Sequence, residues 1–123
     1  MNGMTLAALR GILMFSVPEA AELVAGVAER TWRRWEDGSR SVPDDVADRV
    51  HELAAWRAQR VVWLESQLKL TAAPLALRYF PTLADWTATK FGEPVYWRPA
   101  CSAAAEVASR YPDRVVLDTD QGI

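Results

Sequence analysis

The sequence predicts a mainly α-helical chain: an N-terminal helix-turn-helix bundle of four to five helices with a long connecting helix, then a small α/β domain of βαβαβ pattern. Three observations carry this. Apolar residues recur at three- and four-residue spacing through the first part of the chain, the period of a helix with one buried face. Between Pro43 and Leu70 there is neither glycine nor proline, so one helix can run unbroken. After Thr71-Ala72-Ala73-Pro74 the pattern changes to short alternations of strand-like and helix-like segments. The boundary divides the chain into residues 1–70 and 74–123.

Each element has a local cause. Thr5 to Met14 carries Leu6, Leu9, Ile12 and Leu13 on one face and is the first helix. Ser16 is an N-cap and Pro18 sits early, where its missing N–H costs little, so the second helix runs from about Val17 to Val24. Ala25-Gly26-Val27 turns the chain, because Gly26 tolerates a positive φ, and Ala20 and Ala21 allow close helix approach. The third helix spans about Ala28 to Glu36 and is closed by Asp37-Gly38.

Pro43 opens the long helix, with Asp44 and Asp45 favoured at its N-terminus by the helix dipole. Ala47, Val50, Ala54, Val61, Leu64 and Leu68 form a near-heptad stripe broken by Arg57. Its distal half, widened by Trp56, Val62 and Trp63, must pack on a second domain or a second subunit. Beyond Pro74 the expected order is strand Leu75–Phe80, helix Leu83–Lys90, strand Val95–Arg98, helix Ser102–Arg110 and strand Arg114–Leu117. Asp118 to Ile123 reads as a frayed tail. So short a domain is marginal alone and calls for support.

Composition removes several classes of function. No apolar run approaches a membrane span, and Met1-Asn2-Gly3-Met4 lacks the basic flank of a targeting segment, so a cytoplasmic protein is expected. With one cysteine and one histidine, neither a disulfide framework nor a zinc site can be assembled, and no metal or cofactor is expected. A formal net charge of −2 argues against indiscriminate coating of nucleic acid. The basic charge is instead local: Arg30, Arg33, Arg34 and Arg40 lie close together, against Glu29, Glu36 and Asp37.

The third helix brings that charge to one surface. Trp32 and Trp35 lie three apart on one face, leaving Glu29, Arg30, Arg33 and Arg34 on the others. Arginine forks onto guanine O6 and N7 and neutralises phosphates, which suits double-stranded DNA. Glu36, at the end of the helix, is read as a structural hydrogen-bond acceptor.

Trp32, Trp35, Glu36 and Gly38 match the pattern of Cro/XRE-type helix-turn-helix regulators, which the segment Val27–Gly38 resembles. Residues 4–117 are similar to a two-domain subgroup, the YdiL-like and anti-CRISPR-associated repressors. The similarity runs through Glu19-Ala20-Ala21-Glu22, Trp32, Trp35-Glu36-x-Gly38, Val42-Pro43-Asp44-Asp45-Val46, Tyr79-Phe80-x-Thr82 and Trp97-Arg98. The resemblance implies an autorepressor that binds a palindromic operator as a homodimer, with the C-terminal domain supplying the dimer contact. Carried over residue by residue, the base-contacting positions are Glu29, Arg30, Arg33 and Arg34, with Arg30 foremost, and Ser39, Arg40 and Ser41 are phosphate contacts. The turn Ala25-Gly26-Val27 is one residue longer than the shortest family pattern.

Two other readings fit the same residues. One is an antitoxin-type interaction module that carries a helix-turn-helix; the other is a binder of the RNA stem-loop transcribed from the same repeat. An enzyme is not expected, since no phosphate-binding glycine loop, nucleophile motif or catalytic carboxylate pair is present. Trp32 and Trp35 are read as core, the sequence leaves Trp86 and Trp97 open, and Cys101 among alanines is read as a buried, inert thiol.

Overall fold

Asn2 starts the first helix: its side chain accepts from the Thr5 N–H at 2.8 Å, and α1 then runs Gly3–Ile12 in the computed structural model, which describes residues 1–90 and 92–123. Gly3 abuts the end of another segment so closely that a Cβ there would collide with the carbonyl oxygens of Trp35 and Glu36. At the far end Met14 adopts φ 66°, and the Phe15 N–H reaches back to the Arg10 carbonyl at 3.2 Å, closing the helix.

Ser16 and Glu19 cap the next helix reciprocally, side chain to backbone in both directions, at 3.2 and 2.9 Å. Helix α2, Val17–Ala20, widens into a π-helical turn, Ala21–Ala25, so the expected single helix contains a change of pitch. Gly26 stops it at φ 62°, and the N–H groups of Gly26 and Val27 both donate to the Ala21 carbonyl. Helix α3, Glu29–Glu36, follows, and α1 and α2 both pack on it. Leu6, Ala20, Ala21 and Trp32 are buried at its core. Helix α4 is long, Asp44–Leu68.

The chain divides into two compact units, Met1–Ala55 and Trp56–Ile123, so α4 contributes its first half to one and its second half to the other. In the second unit Val61, Leu64 and Leu68 of α4 meet Leu77 of strand β1 (Leu75–Arg78), Ala103 and Val107 of a later helix, and Val115 of strand β2 (Val115–Asp118). The distal half of the heptad stripe is thus satisfied inside its own chain. Arg57, which breaks the stripe, donates to Ser102 at 2.8 Å and to Glu106 at 2.7 Å. Arg114 donates to the Leu68, Thr71 and Ala73 carbonyls, tying down the end of α4.

Between the strands lie α5 (Leu83–Thr87), a 3₁₀ turn (Pro94–Tyr96) and α6 (Trp97–Arg110). The strands pair in parallel with Leu75 opposite Val115, which requires such a crossover. Two sequence expectations fail here. The middle strand, Val95–Arg98, is the 3₁₀ turn and the start of α6. Pro94 fixes a helical φ, Pro99 falls in the first turn where no N–H is needed, and the Trp97 indole donates to the Phe80 carbonyl at 2.8 Å. Among the described residues the sheet therefore has two strands instead of three.

The tail is not frayed either. The Asp118 carboxylate accepts from the Asp120 and Gln121 N–H groups, turning the chain back. Ile123 then donates to Ala76 at 3.3 Å and accepts from Arg78 at 3.0 Å, pairing with the edge of β1 away from β2. Gly122, at φ 117°, passes so close to Ala76 that no Cβ would fit.

Gly3 yields a prediction in which two effects oppose each other. Alanine is normally better than glycine in a helix by ~1 kcal/mol. The collision with two backbone carbonyls reverses the sign, and Gly3→Ala is expected to destabilise the chain by about 1–3 kcal/mol. Urea unfolding measures this; a raised midpoint would show that α1 does not approach α3 so closely.

Candidate nucleic-acid interface

Helix α3 has two chemically distinct sides. Trp32 and Trp35 are 1% and 6% exposed, with ring centroids 5.6 Å apart. Glu29, Arg30 and Arg33 are exposed on the outer side and Arg34 is half-buried. The separation follows from 100° per residue: positions 32 and 35 fall together, and 30, 33 and 34 fall away from them.

A half-buried carboxylate fixes the inner side. Glu36 accepts the Trp32 indole N–H at 2.6 Å and a two-pronged contact from Arg10, whose Nε and Nη2 lie 2.6 and 3.0 Å from its oxygens. Arg10 also donates to the Phe15 carbonyl at 3.1 Å. Burial pushes the Glu36 carboxyl up, but the hydrogen bonds from Arg10 and Trp32 and the charge of Arg10 outweigh it, and the net displacement is below the usual carboxylate range. Glu36 thus has the structural role expected of it. Its partner Arg10 left no trace in the sequence, because nothing in a one-dimensional pattern links positions 26 residues apart.

On the outer side Arg33 pairs with Glu29 at 2.6 Å, an exposed contact one helical turn apart. This spacing was visible in the sequence, although the pair was not anticipated. Such pairs are worth ~0–1 kcal/mol, so Arg33 can exchange Glu29 for another anion at little cost. Among the described residues the Arg30 side chain has no hydrogen bond or ion pair.

The loop beyond α3 is tied back to it. Gly38 takes φ 83°, and the Arg40 N–H donates to the Arg34 carbonyl at 3.0 Å. The Asp37 carboxylate accepts from the Ser39 hydroxyl and from its N–H, and these bonds, with the charge of Arg34, hold that carboxyl below its ordinary value. Ser39, Arg40 and Ser41 are all exposed. The structure therefore brings Glu29, Arg30, Arg33 and Arg34 onto one helix and places Ser39, Arg40 and Ser41 directly after its end. Cys101, read as a buried thiol, is buried in the second unit 3.2 Å from the Phe80 carbonyl, and Trp86 and Trp97, which the sequence left open, are buried there too.

The profile of the Aca2/YdiL-like family matches residues 1–116. The Aca2 repressor of Pectobacterium phage ZF40 is 35% identical over 106 residues, covering 85% of this chain and 90% of that protein. The protein YdiL of Escherichia coli (strain K12) is 30% identical over 120 residues, covering 94% of this chain and 99% of its own length.

The lowered Glu36 pKa sets a pH dependence. A carboxylate depressed in the folded state stabilises it above the unfolded pKa, about 4.3, and that contribution is lost as pH falls through the folded value. Glu36→Gln is expected to cost about 1–3 kcal/mol near neutral pH. The variant should also lose stability less steeply on acidification than the native chain. Denaturant titrations at a series of pH values read both, and parallel acid profiles would count against Glu36 as the acid-sensitive anchor.

Proposed function

The chain belongs to the Aca2/YdiL-like family, and on that premise we propose that it is a transcriptional repressor that binds an inverted-repeat operator in double-stranded DNA as a homodimer. The single observation that carries this reading is the two-sided character of α3. Its indoles and Glu36 are locked inward, while Arg30, Arg33 and Arg34 are offered outward from one rigid helix narrow enough for a major groove. The repressor named among the relatives supports the regulatory class.

In this reading α2 and α3 are the two helices of a helix-turn-helix, joined through Gly26. Residues 1–70 deliver α3 to the groove, and residues 74–123 hold two copies together. Arg30, at the exposed start of α3, reads a base; Arg33 and Arg34 contact bases or phosphates one turn on; Glu29 releases Arg33 and faces a base amino group. Ser39, Arg40 and Ser41 hold the phosphate backbone next to the helix end. With net charge −2, attraction to DNA comes from this local surface. For the dimer, the candidates are the exposed Val62 on α4 and the exposed Val116 and Leu117 on β2, since Val61, Leu64 and Leu68 are already buried.

Two arginines separate readout from attraction. Arg30→Ala should weaken operator binding by ~1–3 kcal/mol and relax preference at one base position. Arg40→Ala should instead weaken binding to all sequences alike and reduce the dependence of log K on log salt by about one phosphate contact. Competition between operator and random DNA across a salt series distinguishes them; equal loss on both DNAs for Arg30→Ala would remove it from base readout.

Assembly is tested separately. A two-fold dimer places half-site centres about 34 Å apart, one turn of DNA, or a multiple of it. Light scattering should give twice the 13.7 kDa chain mass. Val116→Glu should yield monomers with weakened operator binding, and a monomeric native protein would overturn the dimer.

A further inference from the structure

A cleft of about 1070 Å³ opens within the second unit, lined by the distal half of α4, the end of β1, the segment around Pro94 and the returning tail. Its volume is at the upper end for small-molecule sites. Trp56, Arg60 and Trp63 line one wall, with the Arg60 guanidinium 6.0 Å from the Trp56 ring and 5.0 Å from the Trp63 ring. The Trp56 ring is braced on Tyr96 at 4.8 Å, and Trp86 is braced edge-on against Phe80 at 4.9 Å. Trp63 remains 43% exposed.

Charge is unbalanced in this cleft. Among the described residues its lining side chains carry Arg60, Arg78 and Lys90 against one carboxylate, that of Glu93. Arg60 is the informative member. Arg57 and Arg110 in the same unit each have a carboxylate partner, and Arg114 is spent on backbone carbonyls. Among the described residues Arg60 has no carboxylate and only the two indoles beside it. Burial pulls its pKa below the ordinary arginine value, although it stays charged. A guanidinium withdrawn from water without a counter-ion is a site at which an incoming anion gains more than at the open surface.

We infer that this cleft binds a small flat aromatic anion, Arg60 holding the anionic group and the aromatic wall stacking on the ring. The chemistry is shared by a mononucleotide and an aromatic carboxylate, and both are accommodated by the volume. Such a ligand is bound in the second unit by residues separate from those of α3. The site does not depend on the DNA-binding reading.

The full chain with isotope-labelled indoles tests this by magnetic resonance. Adenosine monophosphate and indole carboxylate are titrated in turn, with neutral adenosine and inorganic phosphate as partial ligands. At least one anionic probe should move the Trp56 and Trp63 N–H signals saturably and leave Trp32 in place. The tighter of the two identifies phosphate or carboxylate as the preferred group. Adenosine and phosphate should each bind about tenfold more weakly or worse, and Arg60→Gln should weaken the anionic probe by about tenfold. Should Arg60→Gln fail to fold, the native signals and the adenosine comparison decide alone. The inference is overturned if neither anionic probe moves those signals, if adenosine binds as well as its monophosphate, or if a folded Arg60→Gln binds undiminished. It is also overturned if the Trp63 signal follows protein concentration and not probe, which would place a second copy in the cleft.

Discussion

One carboxylate organises the first unit. Glu36 receives the Trp32 indole and the Arg10 guanidinium together, so the last turn of α3, its buried aromatic face and the end of α1 are fixed by a single group. Each contact is useful only because the others are present. Removing Arg10 would leave a partly buried carboxylate without its counter-ion, and removing Glu36 would leave the Trp32 indole N–H without its acceptor and Arg10 with only the Phe15 carbonyl. Gly3 completes the arrangement by letting α1 reach the Trp35 and Glu36 carbonyls from the other end. The direction in which the arginines of α3 point is therefore set from behind.

The second unit reaches order by different means. Its sheet has only two strands among the described residues, too few to form a core by themselves, and α4 and α6 supply the rest through Val61, Leu64, Leu68, Ala103 and Val107. Arginine serves as a structural tie here: Arg57 joins α4 to α6, and Arg114 gathers three carbonyls near the end of α4. Ile123 gives β1 a neighbour on its second edge, which blunts a row of backbone groups otherwise open to pairing.

What could be read in advance was what repeats at short range. Apolar spacing located α1, α3 and α4, Ser16 and Pro18 marked the start of α2, and Gly26 and Gly38 marked turns that do adopt positive φ. The burial of Trp32 and Trp35 followed from their three-residue spacing. Val95-Tyr96-Trp97-Arg98 misled because aromatic and β-branched residues have strand propensity, whereas the outcome was set by Pro94 and by a hydrogen bond to Phe80, 17 residues earlier. The cleft was invisible for the same reason: its walls come from residues 56, 60 and 63, 78 and 80, 86, 89 and 90, 92–94 and 96, and 122–123, far apart in the chain, which only the fold assembles. Of the proposed interface, the helix and its outward residues were legible; the Arg10 support and the Glu29–Arg33 pair were not anticipated.

The two sides of α3 also differ in how freely they can diverge between lineages. Arg30 and Arg33 lean on nothing in the interior, so their replacement leaves the fold intact and alters only what the helix meets outside. Trp32, Glu36, Arg10 and Gly3 form a set in which one change demands another. Under the proposed DNA-binding role, descendants of this chain can therefore acquire new target sequences by substitutions at a few surface positions while inheriting the scaffold unchanged.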